Sequence, residues 1–111
     1  METTHGNQTR DFIDARDAAD LLVHLLMSSE TGAFNIGTGH GTTVRSVIEY
    51  LADRHRGRGL LRLGALATPA DEPDVLVADM AKVKAHLGWT ASTDIVAGLD
   101  RILAQENLAA Q

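Results

Sequence analysis

Apolar residues recur along the chain at two spacings, one helical and one strand-like. Over residues 15–29, Ala18, Ala19, Leu22, Val23, Leu25 and Leu26 follow one another at steps that keep them on one side. That pattern predicts an amphipathic helix with those side chains inward. Asp14 stands where an N-cap belongs, and Gly32 where a left-handed residue can end the helix. Asp17, Asp20 and His24 fall on the opposite, solvated face, with Asp20 and His24 an i,i+4 pair. Val44, Val47, Ile48 and Leu51 predict a second helix that stops near His55, ahead of Gly57 and Gly59. A third spans about 80–87, buried through Met80, Val83 and Leu87, capped by Asp79 and ended by Gly88. Asp94 caps the last, whose stripe is Ile95, Val96, Leu99, Ile102 and Leu103. Beyond Gln105 the tail is expected to fray.

Short apolar runs supply the strand candidates: Arg10-Asp11-Phe12-Ile13, residues 33–36, Leu60-Leu61-Arg62-Leu63 and Val75-Leu76-Val77. Pro69 and Pro73 make residues 64–74 a loop. The run 33–36 leads into Gly37, Gly39 and Gly41 and then the second helix, where Thr42 or Thr43 can cap. Strand, glycine loop and helix admit two readings. Loop amides and a helix N-terminus can hold an anion, or the glycines simply allow a tight turn. A G-x-G-x-x-G motif would need glycine at Thr42, and no P-loop lysine follows, so the turn is favoured. Arg54, His55, Arg56 and Arg58 likewise read either as a phosphate patch or as cations complementing a helix C-terminus, and the second is favoured.

These elements predict an α/β (mixed α+β) fold of about four helices and a few short strands. The organisation expected is a polar segment at 1–9, a single domain at 10–104 and a frayed tail at 105–111. Composition fits a globular chain, with 44% hydrophobic and 23% charged residues. Only 4% are aromatic, so aliphatic side chains must build the core, with Trp89 folded back onto it. The net charge of −5 argues against nucleic acid as a partner. No cysteine occurs, which excludes disulfides and thiolate metal sites and fits a cytoplasmic setting. No apolar run reaches membrane-spanning length, and Met1-Glu2-Thr3-Thr4-His5 lacks a signal-peptide layout.

Reactive constellations are scarce. Ser28, Ser29, Ser46 and Ser92 lie in no G-x-S-x-G context. No two histidines form H-x-x-x-H. Tyr50 is followed four positions on by Arg54 and not by lysine. The sequence therefore nominates no catalytic residue, no cofactor site and no metal ligand.

The order of short motifs is informative where no single one is. Gly6-Asn7-Gln8-Thr9-Arg10-Asp11-Phe12-Ile13 comes first, then Asp17-Ala18-Ala19, then Phe34-Asn35-Ile36-Gly37-Thr38-Gly39. Val77-Ala78-Asp79-Met80-Ala81-Lys82, Leu87-Gly88-Trp89 and Gly98-Leu99 follow. This series resembles the C-terminal, substrate-binding part of the NAD-dependent epimerase/dehydratase family. Those are extended short-chain dehydrogenases/reductases acting mostly on nucleotide sugars, and the resemblance runs from about Thr4 to Leu103. In that family an N-terminal Rossmann domain carries the NAD site and the catalytic Tyr-x-x-x-Lys, and this chain has neither motif.

The resemblance implies that Arg10 contacts a substrate diphosphate, for which the guanidinium fork is well shaped. It implies that Glu72 contacts the nucleotide, and that the N-I-G loop, Asp79 and Trp89 are structural. The neighbourhood of the family's second phosphate-binding arginine is Pro69-Ala70-Asp71 here. The function it implies is the nucleotide-sugar-binding portion of an epimerase/dehydratase-like protein. That portion is not catalytically competent alone and binds NAD(P) only with a separate Rossmann domain. The alternative is a non-enzymatic structural or protein-interaction module derived from it. Candidate partners are a nucleotide diphosphate-sugar, a second copy, or a separate Rossmann-domain chain.

Overall fold

Side-chain oxygens accept amides at the heads of the helices, where orphan N–H groups need partners. In the computed structural model, which describes residues 1–109, Asp14 Oδ1 accepts from the Arg16 amide at 2.8 Å and opens α1 (Ala15–Met27). Thr43 Oγ1 accepts from the Ser46 amide at 3.2 Å at the head of α2 (Val44–Arg54). Asp79, expected as the cap of α3 (Ala81–Leu87), stands one residue ahead of the actual cap Met80, though its Oδ1 accepts from the Ala81 amide at 3.0 Å; Gly88 at φ +61° ends the helix. Asp94 Oδ1 accepts from the Ala97 amide at 2.7 Å at the start of α4 (Ile95–Ala109). Of the tail 105–111, residues to Ala109 belong to α4, and residues 110–111 lie outside the described residues. Three two-residue strands, β1 (Thr9–Arg10), β2 (Thr42–Thr43) and β3 (Val75–Leu76), form one sheet in the order β2-β1-β3. Four helices and a small mixed sheet give the α/β class expected.

Where the sequence reading expects one domain over 10–104, contacts group the chain into two units. The first is Met1–Asp11 with Gly41–Val77, and the second is Phe12–His40 with Ala78–Gln111.

In the first unit β1 pairs antiparallel with β2 and parallel with β3, with Arg10 opposite Thr42 and Leu76. Gly41 enters β2 where a Cβ would lie 2.5 Å from Thr9 Cγ2 and 2.9 Å from Val77 Cγ2, so only glycine fits. Residues 1–9, expected as a polar lead-in, are woven into this unit. The Thr3 amide donates to Arg62 O at 3.2 Å, and Leu66 donates back to Thr3 O at 3.0 Å. The run at Leu60-Leu61-Arg62-Leu63 is not a strand. A 3-10 turn takes Arg58–Leu60, and Arg62 makes a single bridge to Glu2.

In the second unit Leu21 and Val83 are fully buried and Trp89 is 6% exposed, with Ile13, Leu25, Phe34, Met80 and Leu87 packed around them. The face of α1 turned to this core is not the one its periodicity suggests. Asp17 and Leu21 are buried, whereas Leu22, Val23, Leu26 and Met27 are exposed at 54, 56, 81 and 81%. Apolar residues occupy both sides of α1, so spacing cannot choose between them. Asp17 decides it, because its carboxylate accepts from the Thr93 amide at 2.9 Å, the Ser92 hydroxyl at 2.9 Å and the Ser92 amide at 3.2 Å. A carboxylate with three donors is satisfied when buried.

Residues 33–36 are also not a strand among the described residues. Phe34 packs at the core, its ring 4.3 Å from Lys82 Nζ, and Ala33 O accepts from that same ammonium at 2.7 Å. The strand expected at Arg10-Asp11-Phe12-Ile13 is displaced to Thr9–Arg10, since Ile13 belongs to the core of the second unit.

Candidate functional site

The parallel β1–β3 pairing positions the two residues singled out for substrate. A turn closed by the Glu72 amide donating to Pro69 O at 3.1 Å delivers the chain to β3. The Thr9 amide then donates to Asp74 O at 2.7 Å and locks β1 beside that turn. Arg10, on β1, and Glu72, at the end of the turn, are brought into an ion pair across 62 positions of sequence, Arg10 Nη2 to Glu72 Oε1. Arg10 Nη1 also donates to Thr9 O at 2.8 Å. The Arg10 side chain is 19% exposed and that of Glu72 33%.

The guanidinium is thus held at one edge by a carboxylate and a carbonyl. Its Nε–H has no hydrogen-bond partner among the described residues, and neither has the second carboxylate oxygen of Glu72. An arginine with free N–H groups on a planar fork can take phosphate oxygens, and a carboxylate oxygen can accept a hydroxyl. The family resemblance nominated both residues. Their direct pairing, and the Thr9 carbonyl that helps orient Arg10, were not legible, because they depend on strand register.

The glycine loop offers no comparable site. The amides at the head of α2 are already occupied. Val44 donates to Gln8 O at 3.1 Å, Arg45 to Gly6 O at 2.8 Å and Ser46 to Thr43 Oγ1. Upstream, the His40 amide donates to Thr38 Oγ1 at 3.0 Å, closing the loop on itself. Gly39 is at φ +79°, as a tight turn needs. In the basic cluster at the end of α2, Arg58 and Arg54 are likewise engaged. Arg58 donates to Asp53 at 2.8 and 3.1 Å and pairs with Glu49 at 3.0 Å, while Arg54 lies over the Tyr50 ring at 4.5 Å. The hydrogen bond from Arg45, opposed by partial desolvation and aided by the charges of Arg58 and Arg45, holds the Glu49 carboxyl below its ordinary pKa.

Asp17 is the polar group sequence reasoning misplaced. Burial pushes its pKa up, but the bonds from Thr93 and Ser92 outweigh that and hold it below the ordinary aspartate value. Trp89 Nε1 donates to Asp20 Oδ2 at 2.8 Å, and Arg101 Nη1 pairs with Asp14 at 3.0 Å. These contacts brace helices. Among the described residues no three His, Cys, Asp or Glu side chains group as a metal site, and no helix is long and apolar enough to cross a membrane.

Comparison with known proteins bears on the chain as a whole. The sequence profile of GDP-mannose 4,6 dehydratase matches residues 1–102. A UDP-glucose 4-epimerase of Rhizobium meliloti (strain 1021) is 32% identical over 100 residues, which is 86% of this chain and 30% of that protein. A probable UDP-arabinose 4-epimerase of Oryza sativa subsp. japonica is 35% identical over 99 residues, 84% of this chain and 23% of that one. Among solved structures, UDP-glucose 4-epimerase of Thermotoga maritima, determined with UDP-glucose, superposes with a TM-score of 0.87 at 20% identity. It covers all of this chain and 36% of its own, a likeness of fold. The chain therefore spans less than a third of the length of these curated relatives.

Proposed function

The chain belongs to the GDP-mannose 4,6 dehydratase family of NAD-dependent epimerase/dehydratases, and from that we propose that it is a nucleotide-sugar-binding portion of such a protein, with Arg10 on the diphosphate and Glu72 on the nucleotide. The observation that carries this reading is the Arg10–Glu72 pair. The strand register joins the two residues nominated for one ligand, and leaves donors on one and an acceptor on the other. The relatives' names supply the substrate class, since they act on UDP-sugars.

The chain alone turns over nothing and binds no NAD(P) in this reading. The amides at the head of α2, which follows the glycine loop, are already occupied by Gln8 O and Gly6 O, which supports that reading. Hydride chemistry then rests with a separate Rossmann-domain partner in a cytoplasmic setting. A second reading is an interaction module, favoured by the exposed apolar side of α1.

Titration with UDP- and dTDP-sugars, followed by NMR, separates the two. Saturable binding that Arg10→Ala weakens by about 1.5–3 kcal/mol, the range for a hydrogen bond to a charged group, supports the first reading. Binding that ignores Arg10→Ala removes Arg10 from the site, and no binding at millimolar ligand leaves the interaction module.

A further inference from the structure

Gly41 lies where β1, β2 and the end of β3 come together. A Cβ added there would stand 2.5 Å from Thr9 Cγ2 and 2.9 Å from Val77 Cγ2. Gly41 is not among the glycines at positive φ, so space and not backbone conformation excludes a side chain. The two methyl groups cannot swing aside cheaply, because threonine and valine are both β-branched and stiff at χ1.

Thr9, the nearer of the two, also holds Arg10. Its carbonyl accepts from Arg10 Nη1 at 2.8 Å, and its amide donates to Asp74 O at 2.7 Å. Thr9 thereby ties the guanidinium to the segment that carries Glu72, two positions before Asp74. Val77 follows β3 directly. Thr9 and Arg10 are successive residues of one strand, so their side chains take opposite faces of the sheet. Gly41 meets the Thr9 face, and it reaches the Arg10–Glu72 pair only through Thr9 and the spacing of β1 from β3.

We propose that Gly41 is a positioning residue for the Arg10–Glu72 pair. The missing side chain lets Thr9 and Val77 close together on one face, and that closure sets how Arg10 meets Glu72 on the strand edge. A methyl at position 41 would have to push Thr9 by about 1 Å to reach ordinary carbon contact, whereas binding groups must be held to within about 0.5 Å. The effect on the pair stands by itself, and the effect on ligand rests on the nucleotide-sugar reading.

Two measurements on the whole chain test it, amide hydrogen exchange without ligand and an NMR titration with UDP. Without ligand, Gly41→Ala should speed exchange of the Thr9 amide at least about tenfold and leave the Leu21 and Val83 amides unchanged. With UDP, Gly41→Ala should weaken binding at least about tenfold, within what a misplacement of about 1 Å costs. In the Thr9→Ser/Val77→Ala background, which removes both opposing methyls, Gly41→Ala should cost no more than about twofold. It should cost equally little in the Arg10→Ala background, whereas a residue needed only for folding would weaken UDP in every background. If Gly41→Ala unfolds residues 44–54, the milder Gly41→Ala/Thr9→Ser, opposed by Val77 alone, is read in its place. Thr9 exchange at the unaltered rate overturns the proposal, and so does the same UDP loss in all backgrounds. If the unaltered chain binds no UDP, the nucleotide-sugar reading falls, and the exchange rates alone decide for or against Gly41.

Discussion

The two units hold together by different means. The second is built on three buried side chains, Leu21, Val83 and Trp89, and on a buried carboxylate, Asp17, that ties α1 to the Ser92-Thr93 turn. The first has no apolar side chain in that buried set. It relies on main-chain bonds from residues 1–9 and on exposed ion pairs along α2. The contrast extends to their charged residues. In the second unit a buried charge is fully occupied by architecture. In the first, Arg10 and Glu72 are partly exposed and keep unused hydrogen-bonding capacity, which is what a ligand site needs.

The sharpest way to break this contrast is to remove the core. Leu21→Ala should cost about 2–5 kcal/mol, the range for a fully buried leucine. Urea unfolding followed by circular dichroism reads the loss. Hydrogen exchange should show it concentrated in α1, α3 and α4, and equal loss of protection in β1–β3 would mean the units are not separate in stability.

Arg10→Ala should do the reverse. It should weaken nucleotide diphosphate binding by about 1.5–3 kcal/mol yet shift stability by no more than about 1 kcal/mol, because the pair is partly solvated. A larger stability loss would make Arg10 a structural residue.

Asp17→Asn comes next. Its depressed pKa means that the stability it contributes is present above the ordinary aspartate value, near 4. That contribution disappears as pH falls through the lower value held in the folded chain. The variant should be about 1–3 kcal/mol less stable at neutral pH and should lose part of the acid sensitivity seen below the ordinary aspartate value. Parallel pH curves for the two proteins would contradict that role. The smallest effect expected is that of Thr43→Ala, about 1 kcal/mol from a lost cap on α2, read by thermal unfolding.

Helix starts were legible because capping is local. Asp14, Thr43, Asp79 and Asp94 act through amides two or three residues away. The buried side of α1 was not legible, since Leu21 and Leu22 are equally apolar and the choice lies with Asp17 and a turn 75 residues distant. Residues 33–36 have strand composition, but a ladder needs a neighbouring strand, and no described residue provides one. At the candidate site, the identity of Arg10 and Glu72 came from a motif order shared with a family. Their adjacency came from the β1–β3 register, which no local pattern in so short a sheet encodes.

The central claim is that ligand chemistry resides in the first unit, at Arg10 and Glu72. A two-dimensional amide NMR titration with UDP tests it most directly. The account predicts saturable shifts concentrated at Thr9, Arg10, Asp11 and residues 69–76, with α1 and α3 unmoved. Shifts centred instead on α1 or on residues 37–40, or none at millimolar UDP, would contradict it.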